Sequence, residues 1–406
     1  MRALVFEPQF VGHNLAYARH VLAALIGQGI ETTLLTSHQA SESDEFQSHL
    51  GSLSPNFNLA VSHAFETKKS TRGVRVQGPS GLFATMRSLL DGLKSYQPNH
   101  VIVPFANPLA HALGVPNPIS AYLRKKNIEI EGILLFGRYA YPHTDLASKC
   151  KQHIALKMLD RGPWSRLHHI LPYAVRMMES HSPHLRDIVS FLPDPIESPI
   201  HFSRNAACEK LGLNPSSRYV SLVGLIEKRK GVFDLLNAVR ALDDSLPDST
   251  KFLLAGRCTE DVRSALQDQF HPLIQKQRVV VLDKHLAQDE LWAACFASSL
   301  MTLPYPEHQY SASLLIRAAA AGVPVLCNSI GWMHETTQQY GLGWTCDTRN
   351  LKSFVTTLRN CLPICKNYST NPLAIQFIQE HALENFQAKI VQRIRFRLNA
   401  QRFAFR

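Results

Sequence analysis

The residues best placed for chemistry lie in the run Val220-Ser221-Leu222-Val223-Gly224-Leu225-Ile226-Glu227-Lys228-Arg229-Lys230-Gly231-Val232. An apolar stretch enters a glycine, three consecutive cations follow, and an apolar helical pattern then begins. A helix N-terminus presents unpaired N–H groups and the positive end of its dipole. Arg229 and Lys230 beside such an end would form an anion site suited to a diphosphate. Cationic runs more often lie on solvated loops; here the strand before and the helix after favour phosphate binding. A second candidate is Leu303-Pro304-Tyr305-Pro306-Glu307-His308-Gln309-Tyr310-Ser311-Ala312-Ser313. It leads into an alanine-rich helical stretch that ends at Gly322. A short helix buried between strands accounts for the alanines, but not for the Ser, Tyr, Glu and Gln clustered before them. Ser311 and Ser313 offer hydroxyls and Glu307 a carboxylate.

The first half of the chain holds fewer candidates. His111 follows the apolar run Val101 to Val103 and its Pro104, and could reach a ligand from the carboxyl end of that strand. A histidine there is also often purely structural. Arg138, just past the run 132–136, could bind an anionic acceptor or simply pair on the surface. No Gly-x-Gly-x-x-Gly follows the first strand, which disfavours a dinucleotide-dependent dehydrogenase. The eight cysteines are scattered. Cys361 and Cys365 are the closest pair; with no matching His or Cys pair they are expected as buried thiols rather than metal ligands. His181 and His184 flank Ser182-Pro183 and are expected on a loop. No metal site is expected.

The 406 residues suggest two or three domains, and 45% hydrophobic with 18% charged residues is ordinary for a globular protein. No apolar stretch reaches membrane-spanning length, and the four-residue run Ala3 to Phe6 before Glu7-Pro8 is too short for a signal-peptide core. A cytoplasmic location is the expectation. The net charge of +11 favours anionic partners. After Glu384 there is no acidic residue, while Lys389, Arg393, Arg395, Arg397, Arg402 and Arg406 follow, interleaved with Phe396, Phe403 and Phe405. Such a tail can sit on an anionic membrane surface, peripherally, or end as a solvated helix. No RNA-binding motif accompanies the charge, so nucleic acid is disfavoured as a partner.

The elements that must position these residues alternate. Ala3 to Phe6 reads as a strand and Asn14 opens a helix ending near Gly29. Thr32 to Thr36, Val101 to Val103 and Gly132 to Phe136 read as further strands. The polar stretch Gln39 to Gly81 is expected to form long loops. Leu192-Pro193-Asp194-Pro195-Ile196-Glu197-Ser198-Pro199, with three prolines in seven residues, is a stiff connector. Beyond it come strands at 219–223, 251–255, 279–282, 300–303 and 324–327, with helices at 232–242 and 311–321. Two α/β, doubly wound, Rossmann-like domains are expected, at 1–195 and 196–374, with a returning helix and basic tail at 375–406. Two such domains in one chain would place a ligand cleft between the carboxyl ends of their strands.

The two segments first described, with the spacing between them, resemble the C-terminal domain of glycosyltransferase family 4 and its GT-B relatives. Ala319-Ala320-Ala321-Gly322-Val323-Pro324-Val325, Gly331-Trp332-Met333-His334-Glu335 and Gly341-Leu342-Gly343-Trp344 also fit that pattern. Phe10-Val11-Gly12-His13-Asn14 is similar to the family's glycine loop after the first strand, and 377–398 to its final crossing helix. The resemblance implies GT-B architecture and transfer of a sugar from a nucleotide-diphosphate donor to a hydroxyl acceptor, with retention of configuration and no metal. The acceptor would be a glycan, a lipid-linked or a small molecule. It places Gly12, His13, Gly224, Arg229, Lys230, Glu307, Gln309, Ser311, Ser313 and Arg317 at the donor, Arg138 at the acceptor, and His111 against the donor sugar as a catalytic candidate. The chain departs from the family at the paired glutamates, where Gln309 and Arg317 stand. It also departs at Leu225, where an arginine is usual, and at Ser299, where an aspartate is usual. A GT-B protein that binds a nucleotide or glycan without catalysis is therefore the alternative.

Overall fold

The computed structural model describes residues 1–10, 12, 14–65, 78–137, 139 and 141–404, with the backbone alone for 393 and 395–404. His13, Arg138, Phe405 and Arg406, all singled out above, lie outside the described residues. The chain divides into two compact units, Met1–Pro193 with Leu383–Arg406, and Asp194–Ala382.

The first unit holds a seven-stranded sheet: β1 (Arg2–Phe6), β2 (Glu31–Ser37), β3 (Asn58–Ser62), β4 (His100–Val103), β5 (Glu129–Leu134), β6 (Arg166–His169) and β7 (Val189–Phe191). The order is β3-β2-β1-β4-β5-β6-β7, parallel throughout. The second unit holds six: β8 (Arg218–Val223), β9 (Thr250–Ala255), β10 (Val279–Leu282), β11 (Ser298–Leu303), β12 (Val325–Asn328) and β13 (Gly343–Cys346). Their order is β10-β9-β8-β11-β12-β13, again parallel. Parallel strands need crossover helices, which cover both faces. Hence Leu4, Val5, Val101, Ile102, Val220 and Leu222 are all fully buried. In each sheet the winding reverses once, between β1 and β4 and between β8 and β11, and these are the positions where such sheets open a crevice at their carboxyl ends.

Three sequence expectations need correction. The stretch after Gln39 is not a long loop up to the last described residue before the gap, Phe65. It contains helices His38–Ser41 and Asp44–Leu50 and the edge strand β3. Ser37 and Ser43 cap the two helices through their side chains, and Phe46 and Leu50 bury the second one. Strand β5 begins at Glu129 rather than Gly132 and stops at Leu134. Its polar opening residues are buried: His100, Glu129, Glu131 and His168 form a row across β4, β5 and β6, at 3.5, 3.4 and 3.3 Å. Finally, His181 and His184 lie on helices Pro172–His181 and Pro183–Ile188. Ser182 caps the second helix, so Pro183 starts a helix rather than a loop.

Helix Pro372–Glu380 belongs to the second unit, and the return to the first begins at Leu383. There Phe386 packs edge-on against Tyr17 at 5.8 Å, and Ile390, Val391 and Ile394 are buried. Lys389, counted above with the basic tail, instead donates from Nζ to the Phe191 carbonyl at 2.9 Å. Cys361 and Cys365 are both buried free thiols. Among the described residues no helix is long and apolar enough to cross a membrane.

Candidate functional site

Three loops at the carboxyl edge of the second sheet touch one another. The first leaves β8 at Gly224, whose φ of +86° is left-handed, and returns through Gly231 at +72°. Side chains are excluded here for steric reasons as well. A Cβ on Gly231 would lie 3.0 Å from Pro304, and one on Gly256, after β9, would lie 2.0 Å from the Gly224 carbonyl oxygen. The second loop, 304–312, is held by Asn328, which donates from Nδ2 to the carbonyls of Tyr305 and Pro306 at 3.2 and 3.1 Å. The third begins the helix Gly331–Tyr340, where a Cβ on Gly331 would meet the Gln309 backbone at 2.6 Å.

Within this frame the cations of the turn divide. Arg229 is exposed and ion-paired with Glu227. Lys230 is 9% exposed and makes no hydrogen bond or ion pair among the described residues. Its ammonium folds back to within 3.0 Å of where a Cβ on Gly224 would stand, and 5.8 Å from the Tyr305 ring centroid. Burial pulls its pKa down to about 8, against the pull of Glu227. The helix Val232–Leu242 starts directly behind it on Gly231, with no side chain capping its first N–H groups. A cation without an acid partner and an uncapped helix N-terminus thus meet at one point, the arrangement that takes an anion.

The other predicted donor residues are placed as follows. Glu307 and Gln309 are exposed, and the Gln309 carbonyl accepts the Trp332 N–H at 3.0 Å. His308 donates from Nε2 to the Ser311 carbonyl at 3.0 Å, and burial holds it below the usual histidine range. The Ser311 hydroxyl donates to Asp194 at 2.9 Å. Ser313 opens the helix Ser313–Ala320, which also lacks a side-chain cap. Arg317, on that helix, stacks its guanidinium 4.9 Å over Trp292, and burial lowers its pKa although Cys295, Glu197 and Asp194 pull it up.

In the first unit, Gly12 has a φ of +79° with open space around a would-be Cβ, so only the backbone conformation calls for glycine there. His111 follows the one-turn helix Asn107–Ala110 and stands edge-on to the buried Tyr139 at 6.1 Å. Tyr139 in turn meets His169, whose Nδ1 accepts the Leu171 N–H at 3.0 Å and whose pKa burial lowers to about 3. His169 is therefore neutral. One residue had not been singled out: Glu7, 1% exposed at the end of β1. Its signal in the sequence is an acid placed directly between an apolar strand and a proline.

Residues 203–364 match the family described as "Glycosyl transferases group 1". A glycogen synthase of Mycobacterium tuberculosis is 28% identical over 140 residues, 34% of this chain and 33% of that protein. The chain thus spans about a third of the length of the curated relatives it matches. Among solved structures, a sucrose-phosphate synthase from Thermosynechococcus elongatus superposes with a TM-score of 0.70 at 14% identity, over 98% of this chain and 100% of that one. The Anabaena protein HepE, solved in complex with UDP and glucose, gives 0.64 at 11%, over 97% and 99%. The second unit therefore carries a group 1 glycosyl transferase domain, in a chain that has the GT-B fold.

Proposed function

We propose that the protein transfers a sugar from a nucleotide-diphosphate donor to a hydroxyl acceptor. The observation that carries this reading is Lys230: a buried ammonium with no acid partner among the described residues, poised over Gly224 beside an uncapped helix end. HepE, with the same fold, was solved with UDP-glucose. In the reaction the bond from the sugar's anomeric carbon to the β-phosphate oxygen breaks, and a bond to the acceptor oxygen forms. The acceptor proton passes to the leaving diphosphate, and attack on the face the diphosphate leaves retains the configuration. Lys230 and the N–H groups of helices Val232–Leu242 and Ser313–Ala320 would stabilise the charge growing on the diphosphate. Their work is positioning and electrostatics, with no protein nucleophile and no metal. The charged tail suits a protein that works at an anionic membrane surface in the cytoplasm.

Gln309 and Arg317 favour a second reading, a nucleotide binder without turnover, because neither is a carboxylate and Arg317 is occupied with Trp292. Calorimetry with UDP, GDP and ADP, followed by turnover of the matching nucleotide sugars, separates the two. A nucleotide that binds, with its sugar consumed and Lys230→Ala inactive, supports transfer. Binding with no consumption supports the second reading, and no binding by any nucleotide defeats both.

A further inference from the structure

The first sheet has its own reversal point, between β1 and β4. There the chain leaves β1 through Glu7 and Gln9 and leaves β4 through Phe105, Pro108 and Leu109. These two loops, with Thr85, line a small hollow that has room for about one water-sized group. Glu7 forms part of its wall. Its Oε1 accepts the Gln9 N–H at 3.0 Å, while Oε2 is buried with no hydrogen-bond partner among the described residues. The loop is fixed by its neighbours. The Glu7 N–H donates to the Leu35 carbonyl at 3.0 Å, Thr36 Oγ1 donates to the Glu7 carbonyl at 2.7 Å, and Ser37 Oγ donates to the Pro8 carbonyl at 2.7 Å. On the far side, Asn107 holds the β4 loop by accepting the Leu135 N–H at 2.9 Å. A buried carboxyl oxygen without a partner is costly, and packing alone would be met by an apolar residue. Its position at the reversal of a parallel sheet is where such folds bind ligands.

We propose that this hollow is a subsite for one hydroxyl of a neutral sugar acceptor, with Glu7 Oε2 as its hydrogen-bond partner. That the occupant is the acceptor rests on the transferase reading above; that it is a neutral hydroxyl rests on the hollow itself. Burial pushes the Glu7 pKa up to about 8, so the carboxyl is neutral near pH 7 and carries its proton on Oε2, since Oε1 takes an N–H. A neutral acid group offers both a donor and a lone pair, which matches a hydroxyl. The lining residues include no cation, so nothing there offsets the desolvation of a phosphate or carboxylate.

The test uses the full chain and the variants Glu7→Gln and Glu7→Leu, with UDP calorimetry to show that each still folds and binds nucleotide. Difference infrared spectroscopy reads the protonated-carboxyl band that Glu7→Gln removes. Glucose, galactose, fructose, sucrose, glucose 6-phosphate and glucuronate are added in turn. The expected result is a shift of that band by at least one neutral sugar and by neither charged one. With UDP-glucose as donor, Glu7→Leu should then raise the KM for that sugar about tenfold and leave the donor KM unchanged. The proposal is overturned if the band is absent from the wild type at pH 7, if no neutral sugar moves it, or if the charged sugars move it equally. If none of UDP, GDP and ADP binds the wild type, the transferase reading falls instead, and the infrared result decides the subsite by itself.

Discussion

The two reversal points of the two sheets are built alike, but one buries a charged group and the other a neutral one. Each lies where the winding changes direction, each is bounded by a loop after a central strand, and each buries one ionisable group with an unmet polar end. In the second unit that group is Lys230, a cation drawn partly out of water beside a helix N-terminus. In the first it is Glu7, an acid kept neutral by burial. Desolvation acts on both but has different chemical outcomes. It leaves Lys230 mostly charged at pH 7, because its pKa falls only to about 8, and so leaves an anion receptor. It leaves Glu7 uncharged, and so leaves a partner for neutral hydroxyls. Under the proposed function, each sheet would then serve one end of the transfer.

The widest separation between the two should appear in stability against pH, measured by urea unfolding without nucleotide. The folded-state pKa of Glu7 lies above its unfolded value of 4.5, so its contribution is full below pH 4.5 and is lost as pH rises towards 8. The advantage of Glu7→Gln over the wild type should grow by roughly 4 kcal/mol across that window. The folded pKa of Lys230 lies below its unfolded 10.5, so its cost is full below pH 8 and is relieved between 8 and 10.5. Lys230→Met should be more stable than the wild type by roughly 3 kcal/mol up to pH 8, with the gap closing above it. Parallel pH curves for the two variants would break the comparison.

Next in size is nucleotide affinity by calorimetry. Lys230→Ala should weaken UDP binding by about 10- to 100-fold, the worth of one charge-assisted hydrogen bond, while Glu7→Leu changes it by less than about twofold. Equal losses would mean that the two sites are not divided as described. A smaller effect tests the charge state itself. Wild-type UDP affinity should fall roughly fivefold from pH 8 to 9 as Lys230 loses its proton, and Lys230→Arg should remove that slope. The smallest effect concerns Ser311, whose hydroxyl is engaged by Asp194. Ser311→Ala should cost about 1 kcal/mol in stability and change UDP affinity less than about threefold. A larger loss of affinity would show that this hydroxyl leaves Asp194 for the ligand.

How much of this was legible in the sequence depended on whether charge and burial agreed. The turn at Gly224 to Gly231 was readable because its glycines, cations and following helix lie within one short window. That window could not reveal that Arg229 pairs with Glu227 while Lys230 stays unpaired, a difference made by packing against Tyr305. Strand β5 was misplaced because Glu129 and Glu131 look like a solvated lead-in. Only the partners His100 and His168, on neighbouring strands and distant in sequence, make their burial tolerable. Burial raises the Glu131 pKa, but the two histidines outweigh it and hold the carboxyl well below the usual range. The helices after Gln39 are too short to show a period in the sequence; serine caps define them instead. Glu7 passed unnoticed for a similar reason: one acid before a proline looks like the end of a strand until the β4 loop is seen beside it.

The return of the chain to the first unit has a consequence for synthesis. Helix Asn14–Ile26 is made before the second unit, yet its aromatic partner Phe386 is made after it. At about 5–20 residues per second, the ribosome needs roughly ten to forty seconds to make the intervening Asp194–Ala382. During that time the second unit, continuous in sequence, can complete its sheet, while the first keeps an apolar face exposed on its opening helix. A nascent chain halted before Leu383 is therefore expected to have a finished second unit and an unfinished first one, and it is the residues of the first unit that would need a chaperone's protection.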